Sequence, residues 1–254
     1  MAFEVNIEDG VAELVLNNPP VNALDSAGWF EFAERVDELG QRSDVNCLLI
    51  RAKGRGFQAG VDIRELAADG SKIVDVNRGC YLTFAAIYDC PVPVISAVHG
   101  YCIGGGIGIS GSSDIVIASE DATFSLPEID RGALGAATHL MRLVGMQKTR
   151  RMLYTGEAID AHEMLRLGAL ESVVKPDELR ESAMSLARTI ASKSGRALRL
   201  AKQSLNGIEL LDVKTSYRFE QGFTLELYTS PDSQESRDAF VEKRDAKFES
   251  PPKD

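Results

Sequence analysis

Histidine and paired cysteine are scarce in this sequence of 254 residues, which narrows the possible functions at once. The three histidines, His99, His139 and His162, lie far apart along the chain, so nothing supports a three-histidine metal site. The four cysteines form no CxxC pair, which leaves zinc sites and thioredoxin-like sites unsupported. We therefore expect buried free thiols and no bound metal.

Basic residues are also few: the sequence has 28 of them against 38 acidic residues, which gives a formal net charge of −10. Such a protein repels polyanions, so neither a nucleic acid nor an anionic membrane is an expected partner. No apolar run approaches the roughly 20 residues that a membrane-spanning helix needs. The acidic N-terminus has no basic segment followed by an apolar core, so we expect no signal peptide and a cytoplasmic location.

The hydrophobic pattern changes character along the chain. Alternation around "EDG" predicts a β-hairpin with strands at 3–7 and 11–16, and the apolar runs in "NCLLIRA" and "VPVISAV" are typical of buried parallel strands. Segments with helical periodicity alternate with these strands, and from Pro176 onward nearly every segment is helical. The sequence therefore predicts an α/β core followed by a C-terminal helical appendage, of the kind that commonly serves subunit contact.

A cluster of glycines in "YCIGGGIGIS", residues 101–110, follows one of the buried strands. Glycine is costly inside regular structure, so the cluster indicates close packing or a ligand held against main-chain amides. Residues 106–111 match the dinucleotide pattern G-x-G-x-x-G, but they lie inside a predicted helix and not in the turn after the first strand. A second interpretation is that the glycines serve helix packing alone.

A third interpretation of the glycines is an oxyanion hole. The start of a helix presents unpaired N–H groups and a dipole that favours negative charge, and a glycine there lets a carbonyl oxygen approach closely. A second N–H donor must then come from elsewhere. Residues 54–66, "GRGFQAGVDIREL", are the obvious source, because they also form a glycine-containing turn between a strand and a helix.

Five stretches occur in a distinctive order and spacing over nearly the whole chain: "NPPVNAL", "GFQAGVDI", "GYCIGGGIG", "FSLPEIDRG" and "AFVEKR". Together they resemble the crotonase superfamily, which includes enoyl-CoA hydratases and isomerases. The resemblance implies a spiral core of ββα units over residues 1–195 and a C-terminal helical region, residues 196–254, that builds trimers, often paired into hexamers. It also implies an acyl-CoA substrate, and because coenzyme A is part of that substrate we expect no separate cofactor.

The same resemblance implies which residues meet the thioester. Carried over position by position, the two oxyanion donors are the backbone N–H groups of Val61 and Gly105, and one such donor is typically worth about 3–4 kcal/mol. We expect Lys243 to reach the CoA of a neighbouring subunit, and Lys53 and Arg55 are further candidates for contact with phosphates. The complete set of implied substrate and CoA contacts is Ala23, Leu24, Ala59, Asp62, Ile63, Arg64, Gly104 and Lys243.

The acidic residues decide which reaction is expected. Hydratases of the family use two glutamates, but the first position is Gly108 in this chain and only the second, Glu128 in "LPEI", carries a carboxylate. A hydration that needs both groups therefore lacks one of them. Asp130 and His139 are additional catalytic candidates. Their structural alternatives are a surface pair with Arg131 for Asp130 and a packing role for His139.

Five stretches point to a narrower branch: "RGFQAGVDI", "VNRGC", "GGGIG", "RGALGAATHL" and "SYRFEQGFTLEL". They resemble bacterial crotonase-family hydrolases that open the last rings during steroid degradation. The resemblance implies a cyclic β-keto acyl-CoA, addition of water to the ring ketone, and retro-Claisen cleavage to a thioester enolate, for which one carboxylate suffices. Two alternatives stay open: a hydratase or isomerase acting on a bulky enoyl-CoA, and a non-catalytic CoA-binding protein that kept the fold.

Overall fold

The computed structural model describes residues 2–193, 195–209, 212–229 and 231–244, which form nine β-strands, eleven α-helices and two short 3-10 helices. The strands are β1 (Phe3–Glu8), β2 (Val11–Leu16), β3 (Cys47–Ala52), β4 (Val94–Val98), β5 (Tyr101–Ile103), β6 (Ile115–Ser119), β7 (Thr123–Ser125), β8 (Ile159–Asp160) and β9 (Ser172–Val174). The α-helices are α1 (Ser26–Gln41), α2 (Ile63–Ala68), α3 (Ile73–Asp89), α4 (Gly105–Ser112), α5 (Ala137–Val144), α6 (Met146–Thr155), α7 (Ala161–Arg166), α8 (Leu179–Ala191), α9 (Gly195–Ile208), α10 (Val213–Tyr228) and α11 (Pro231–Glu242). The 3-10 helices are Gly70–Lys72 and Pro127–Arg131.

Six strands form the main sheet, in the order β1-β2-β3-β4-β6-β9. The hairpin β1–β2 is antiparallel, and every other neighbouring pair of this sheet is parallel. Parallel neighbours need crossover connections, and helices supply them here. The predicted hairpin and α/β alternation are confirmed. The smaller sheet β5-β7-β8 was only partly predicted, because β5 and β8 are too short to show an alternating pattern.

Helices cover both faces of the main sheet, because its central strands are apolar on both sides. Leu48 and Ile50 of β3 point into the large core that includes α1 and α3, whereas Leu49 between them points toward α8. The large core also receives α10 through Tyr217. Among the C-terminal helices, α10 therefore packs on the α1 and α3 side of the sheet, whereas α8 packs on the opposite side.

Glu13 on β2 ties α8 to the opposite face of the sheet. Its buried carboxylate accepts hydrogen bonds from Arg51 Nε at 2.5 Å, Arg180 Nε at 2.7 Å and Arg180 Nη2 at 3.0 Å. Burial works to raise the pKa of Glu13, but the hydrogen bonds from Arg180 and Arg51 outweigh burial and hold that pKa below the ordinary value of 4.5. The ionised carboxylate is therefore the stable form in the folded chain.

The predicted C-terminal region of residues 196–254 begins one residue after the start of α9, and its residues 210–211, 230 and 245–254 lie outside those that the structure describes. Its role in oligomerisation stays a prediction. In the described part of the chain, no helix is both long enough and apolar enough to cross a membrane.

Replacing Glu13 with Gln should destabilise the fold, because two arginines lose the charge that they share. Breaking a buried ion pair costs about 3–5 kcal/mol, and we expect about 2–3 kcal/mol here since both arginines keep contact with water. Urea unfolding at pH 7 measures the difference. The contribution is complete above the unfolded pKa of about 4.5 and is lost as the pH falls through the lowered folded value, so the two proteins should converge in acid.

The matched control for this experiment is Glu8→Gln, which removes an exposed carboxylate 3.8 Å from Arg188. An exposed pair of this kind is worth about 0–1 kcal/mol. A stability loss for Glu13→Gln no larger than that of the control, or one that does not change between pH 7 and pH 3, would contradict the assignment.

Candidate active site

A cavity of about 690 Å³ opens where the two glycine-containing loops face the C-terminal helices. Apolar side chains make up most of its wall. Most of the site residues predicted from the sequence line it: Ala23, Ala59, Val61, Asp62, Ile63, Arg64, Gly104, Gly105, Glu128 and Lys243. Leu24, Asp130 and His139 are not among the lining residues.

Backbone contacts hold the two loops side by side. Gln58 pairs with Cys102 in an isolated parallel bridge, and the N–H of Ile103 donates to the Gln58 carbonyl at 2.9 Å. A Cβ placed on Gly60 would lie only 3.7 Å from the Gly105 nitrogen. The first loop therefore lies directly against the start of α4, as the oxyanion-hole interpretation requires.

Leu24 holds the other side of the first loop through its backbone and not by lining the cavity. Its N–H donates to the Gly60 carbonyl at 3.1 Å, and its own carbonyl accepts from the N–H of Asp62 at 2.8 Å. Val61 is held between these two bonds, and its N–H makes no hydrogen bond within the described residues. This amide is therefore available to a ligand.

Gln58 was not predicted as a site residue, but its side chain fixes the conformation of the first loop through two hydrogen bonds. Its side chain is fully buried; Oε1 accepts from the Gly60 N–H at 2.7 Å and Nε2 donates to the Gly60 carbonyl at 2.7 Å. The N–H and carbonyl of Gly60 are thereby both hydrogen-bonded, and the next amide, that of Val61, is left open.

Gly105 begins α4, and its N–H also donates no hydrogen bond in the described chain. Two open amides from separate loops thus stand beside one cavity.

Glu128 lies against the second loop. A Cβ on Gly104 would be 2.2 Å from Glu128 Oε1 and 3.7 Å from the Cα of Gly60, so the carboxylate and both loops meet at one place. Gly104 also has a φ of 56°, which favours glycine. The carboxylate comes from the 3-10 helix Pro127–Arg131, whose last turn is closed by the Ala133 N–H donating to the Glu128 carbonyl at 3.0 Å.

An aromatic ring occupies the place of the missing hydratase glutamate. A Cβ on Gly108 would lie 2.1 Å from Cζ of Phe84, so the backbone at this position has no room for any side chain. Phe84 lines the cavity and packs edge-on against Trp29, with ring centroids 5.6 Å apart. The absence of a second carboxylate is therefore built into the packing.

The dinucleotide interpretation of residues 106–111 is wrong. All six residues lie inside α4, whereas a dinucleotide site needs this pattern in the turn between a strand and a helix. The glycines among them make room for protein groups instead, since Cβ atoms on Gly106 and Gly111 would meet Gln58 and His139.

His139 lies behind the cavity wall. It is fully buried, and its ring centroid is 4.8 Å from that of Phe84 and 4.9 Å from that of Tyr217. Burial lowers the pKa of His139 to about 3, and the nearby Arg142 adds to this effect, so the imidazole is neutral at physiological pH. His139 was expected to act either in catalysis or in packing. Its position favours packing, because the rings of Phe84 and Tyr217 separate it from the cavity.

Asp130 lies on the outer side of its 3-10 helix. It is exposed, and its Oδ2 would be 2.6 Å from a Cβ on Gly156 at the end of α6. The suggested surface pair with Arg131 is not among the ion pairs of the described residues. Arg131 instead donates to the Pro127 carbonyl at 3.1 Å, and its guanidinium lies 4.6 Å from the ring centroid of Phe240.

Two exposed cations, Arg64 and Lys243, lie at the mouth of the cavity. Arg64 Nη2 is 2.8 Å from the Asp62 carboxylate, and Lys243 comes from the end of α11 in the same chain. Lys53 and Arg55 do not line the cavity; Lys53 is bonded to a glutamate of β1 at 2.6 Å. In the described part of the chain, no three His, Cys, Asp or Glu side chains are placed to hold a metal ion.

The sequence pattern of the enoyl-CoA hydratase/isomerase family matches residues 6–251. This chain is a member of that family. A crystal structure of an enoyl-CoA hydratase/isomerase from Xanthobacter autotrophicus superposes with a TM-score of 0.88 at 25% sequence identity, covering 98% of this chain and 99% of the other. The predicted crotonase-type α/β fold is therefore confirmed.

Two relatives of this family member are considerably more similar in sequence. The (7aS)-7a-methyl-1,5-dioxo-2,3,5,6,7,7a-hexahydro-1H-indene-carboxyl-CoA hydrolase of Rhodococcus jostii is 50% identical over 92% of each chain. The enzyme of the same name from Mycobacterium tuberculosis is also 50% identical, over 93% of this chain and 96% of its own. A short-chain-enoyl-CoA hydratase of Clostridium acetobutylicum is 33% identical over 93% of each.

Replacing Gln58 with Leu should reduce turnover while leaving the fold intact. Leucine has a similar size but cannot hold the Gly60 peptide, so the Val61 N–H is free to rotate. Because a misplacement of about 1 Å can cost about 100-fold in rate, we expect kcat for an acyl-CoA substrate to fall by about 100-fold, with a smaller change in KM. Gln41→Leu, at the exposed end of α1, is the control. A folded Gln58→Leu enzyme with wild-type kcat would refute the positioning role.

Restoring the hydratase glutamate should not create a hydratase. Gly108→Glu drives a side chain into Phe84, and overpacking of this kind costs about 1–3 kcal/mol or more. We expect the melting temperature to fall by several degrees and crotonyl-CoA to remain unhydrated. The double variant Gly108→Glu/Phe84→Ala should lose less stability than the sum of the two single losses, because the ring that clashes is removed. Wild-type melting of the single variant would show that the position has room.

Proposed function

We propose that this protein opens a ring of a cyclic keto acyl-CoA by hydrolysing a carbon–carbon bond, as a step of steroid catabolism. The observation that carries the proposal is the Glu128 carboxylate lying against two loops that each offer an open backbone N–H, while Phe84 fills the position of a second glutamate. The other lining carboxylate, Asp62, is paired with Arg64. The two relatives at 50% identity support the substrate class, since their substrate name combines a two-ring indene, two oxo groups and a CoA ester.

In the first step Glu128 acts as a general base. It takes a proton from water, and the water oxygen forms a bond to the carbon of the ring ketone, which gives a tetrahedral alkoxide. One carboxylate is enough for this step, because the ketone itself accepts the electron pair. The largely apolar wall of the cavity strengthens the electrostatic interactions that guide the addition.

In the second step the alkoxide collapses to a carboxylic acid, and the bond to the adjacent ring carbon breaks. The electron pair of that bond is delocalised onto the thioester carbonyl as an enolate. The N–H groups of Val61 and Gly105 donate to the enolate oxygen, where each contributes about 3–4 kcal/mol, and the N-terminal end of α4 favours the same charge.

In the third step the enolate takes back at carbon the proton held by Glu128, and the new carboxylic acid loses its own proton to solvent. One water is consumed and one proton is released, the thioester to CoA stays intact, and Glu128 returns to its starting form. Coenzyme A enters as part of the substrate, and no additional cofactor is consumed.

The remaining expectations from the family complete the proposal. In this proposal Arg64 and Lys243 meet the phosphates of CoA, with Lys243 reaching the CoA of a neighbouring subunit, and the protein acts in the cytoplasm as a trimer or a dimer of trimers. An isomerase or hydratase acting on a bulky enoyl-CoA is the alternative, because a single glutamate can also shuttle a proton between two carbons.

Replacing Glu128 with Gln should abolish turnover without abolishing binding. Loss of the general base is expected to lower kcat by about 100- to 10,000-fold, while the dissociation constant of the CoA ester changes by less than about two-fold. Asp130→Asn is the matched control, since it makes the same change two residues along on the outer side. Stopped-flow turnover and isothermal titration give the two quantities, and an active Glu128→Gln enzyme would rule out this role.

The choice between ring opening and hydration is tested with two substrates. Incubation with a bicyclic dioxo acyl-CoA should yield a product heavier by one water that carries a new carboxylate, as read by mass spectrometry. Crotonyl-CoA should be hydrated slowly or not at all. Rapid hydration of crotonyl-CoA without ring opening of the bicyclic ester would reverse the assignment in favour of the hydratase.

A further inference from the structure

The cavity wall that the C-terminal helices provide contains a buried cation. Arg237 of α11 lines the cavity and is only 4% exposed. Its guanidinium carbon lies 3.8 Å from the ring centroid of Tyr228, and its two terminal nitrogens donate to Ser233 Oγ and Gln234 Oε1 at 2.5 Å each. All of these contacts are with neutral groups, so they orient the guanidinium without neutralising it.

Arg237 has no carboxylate partner among the side chains that the structure describes, and its Nε has no hydrogen-bond partner there. In the same helix region, by contrast, Arg244 pairs with both Glu235 and Glu242. A buried charge without a counter-charge costs several kcal/mol. The chain has more acidic than basic residues, yet none of the described carboxylates is placed beside Arg237. A cation kept in this state beside a ligand cavity indicates that a ligand supplies the negative charge.

Two more polar groups that line the cavity, one on α10 and one on α3, are unsatisfied. Tyr228 Oη and Asn77 Nδ2 are buried without hydrogen-bond partners in the described structure, and both residues line the cavity. Burial raises the pKa of Tyr228 to about 12, so its hydroxyl keeps its proton at neutral pH. Native proteins rarely leave buried polar groups unpaired. The hydroxyl, amide and guanidinium are all able to donate, and an oxygen-rich acceptor would satisfy them.

Arg237 is also linked to the segment that carries the proposed base. Ser233 Oγ, which accepts from Arg237, donates in turn to the carbonyl of Gly132. The next residue, Ala133, donates its N–H to the carbonyl of Glu128. The cation therefore belongs to the part of the cavity where the carboxylate acts.

We propose that Arg237, Tyr228 and Asn77 form a binding site for a second oxygen function of the acyl group, and that its strongest ligand is the carboxylate created by ring opening. This inference rests on the proposed function. A keto oxygen of the intact ring accepts hydrogen bonds from Arg237 and one further donor, and after cleavage a carboxylate presents two charged oxygens to the guanidinium. The site selects acyl-CoA esters that carry oxygen away from the thioester and rejects plain acyl chains, which would leave the donors unpaired.

The test uses CoA esters of dicarboxylic acids and needs no turnover. Succinyl-, glutaryl-, adipoyl- and pimeloyl-CoA are each paired with the monocarboxylic ester of the same chain length, and dissociation constants are measured by titration calorimetry on the full chain. We expect at least one length at which the dicarboxylic ester binds about ten-fold more tightly, and Arg237→Gln should remove that preference while changing the monocarboxylic affinity by less than about two-fold.

Three variants make the result specific. Arg237→Lys should keep part of the preference, because it retains the charge but loses the planar fork. Tyr228→Phe should reduce the preference about three-fold, and it provides the measurement if Arg237→Gln does not fold. Arg180→Gln is the matched control; it removes an arginine that pairs with Glu13 on the other face of the sheet, and it should leave the preference unchanged.

The outcomes separate this site from the proposed reaction. No preference for any dicarboxylic ester, or a preference that Arg237→Gln and Tyr228→Phe do not alter, would overturn the site even if the enzyme opens the ring. A preference that depends on Arg237 would support the site even if the bicyclic ester is not opened, and in that case only the proposed reaction would fall.

Discussion

The proposed oxyanion hole requires that two peptide N–H groups from distant parts of the chain face the same point, and the rest of the proposed site depends on this constraint. The main sheet makes it possible, because β3 and β4 are parallel neighbours whose carboxyl ends, and the loops that follow them, meet at one edge. Gln58 then satisfies the Gly60 peptide, and the start of α4 leaves Gly105 open. The backbone bonds of Gly60, Asp62 and Gly104 hold the two loops in place around the open amides, so hydrogen bonding pre-organises the site.

The chemistry of the site depends on the absence of a carboxylate at position 108 as well as on the groups that are present. Glycine at position 108 with Phe84 packed against it replaces a carboxylate by an aromatic surface that joins Trp29, His139 and Tyr217. Glu128 is thereby left as the carboxylate beside the two amides. An apolar surface with one base suits a bulky ring and an addition of water to a ketone more than a reaction that needs two proton-transfer groups.

The C-terminal helices take part in the site as well as in the architecture. Tyr217, Thr224 and Tyr228 of α10 and Arg237 and Phe240 of α11 line the same cavity as the two loops. In the proposed function, backbone groups at the edge of the sheet handle the thioester, whereas side chains of α10 and α11 contact the distal part of the acyl group.

The sequence alone determined the hairpin, the α/β alternation, the two glycine-containing loops and the placement of Glu128 in a recognisable segment, because these depend on local periodicity and on motifs of adjacent residues. Only the tertiary structure decided the rest. Packing sets the direction of side chains, and three features depend on it. They are the hydrogen bonds from Gln58 to Gly60, the ring of Phe84 over Gly108 and the outward position of Asp130. Arg237, Tyr228 and Asn77 line one cavity because helices far apart in the chain pack together, and no local sequence pattern gives a signal for that packing.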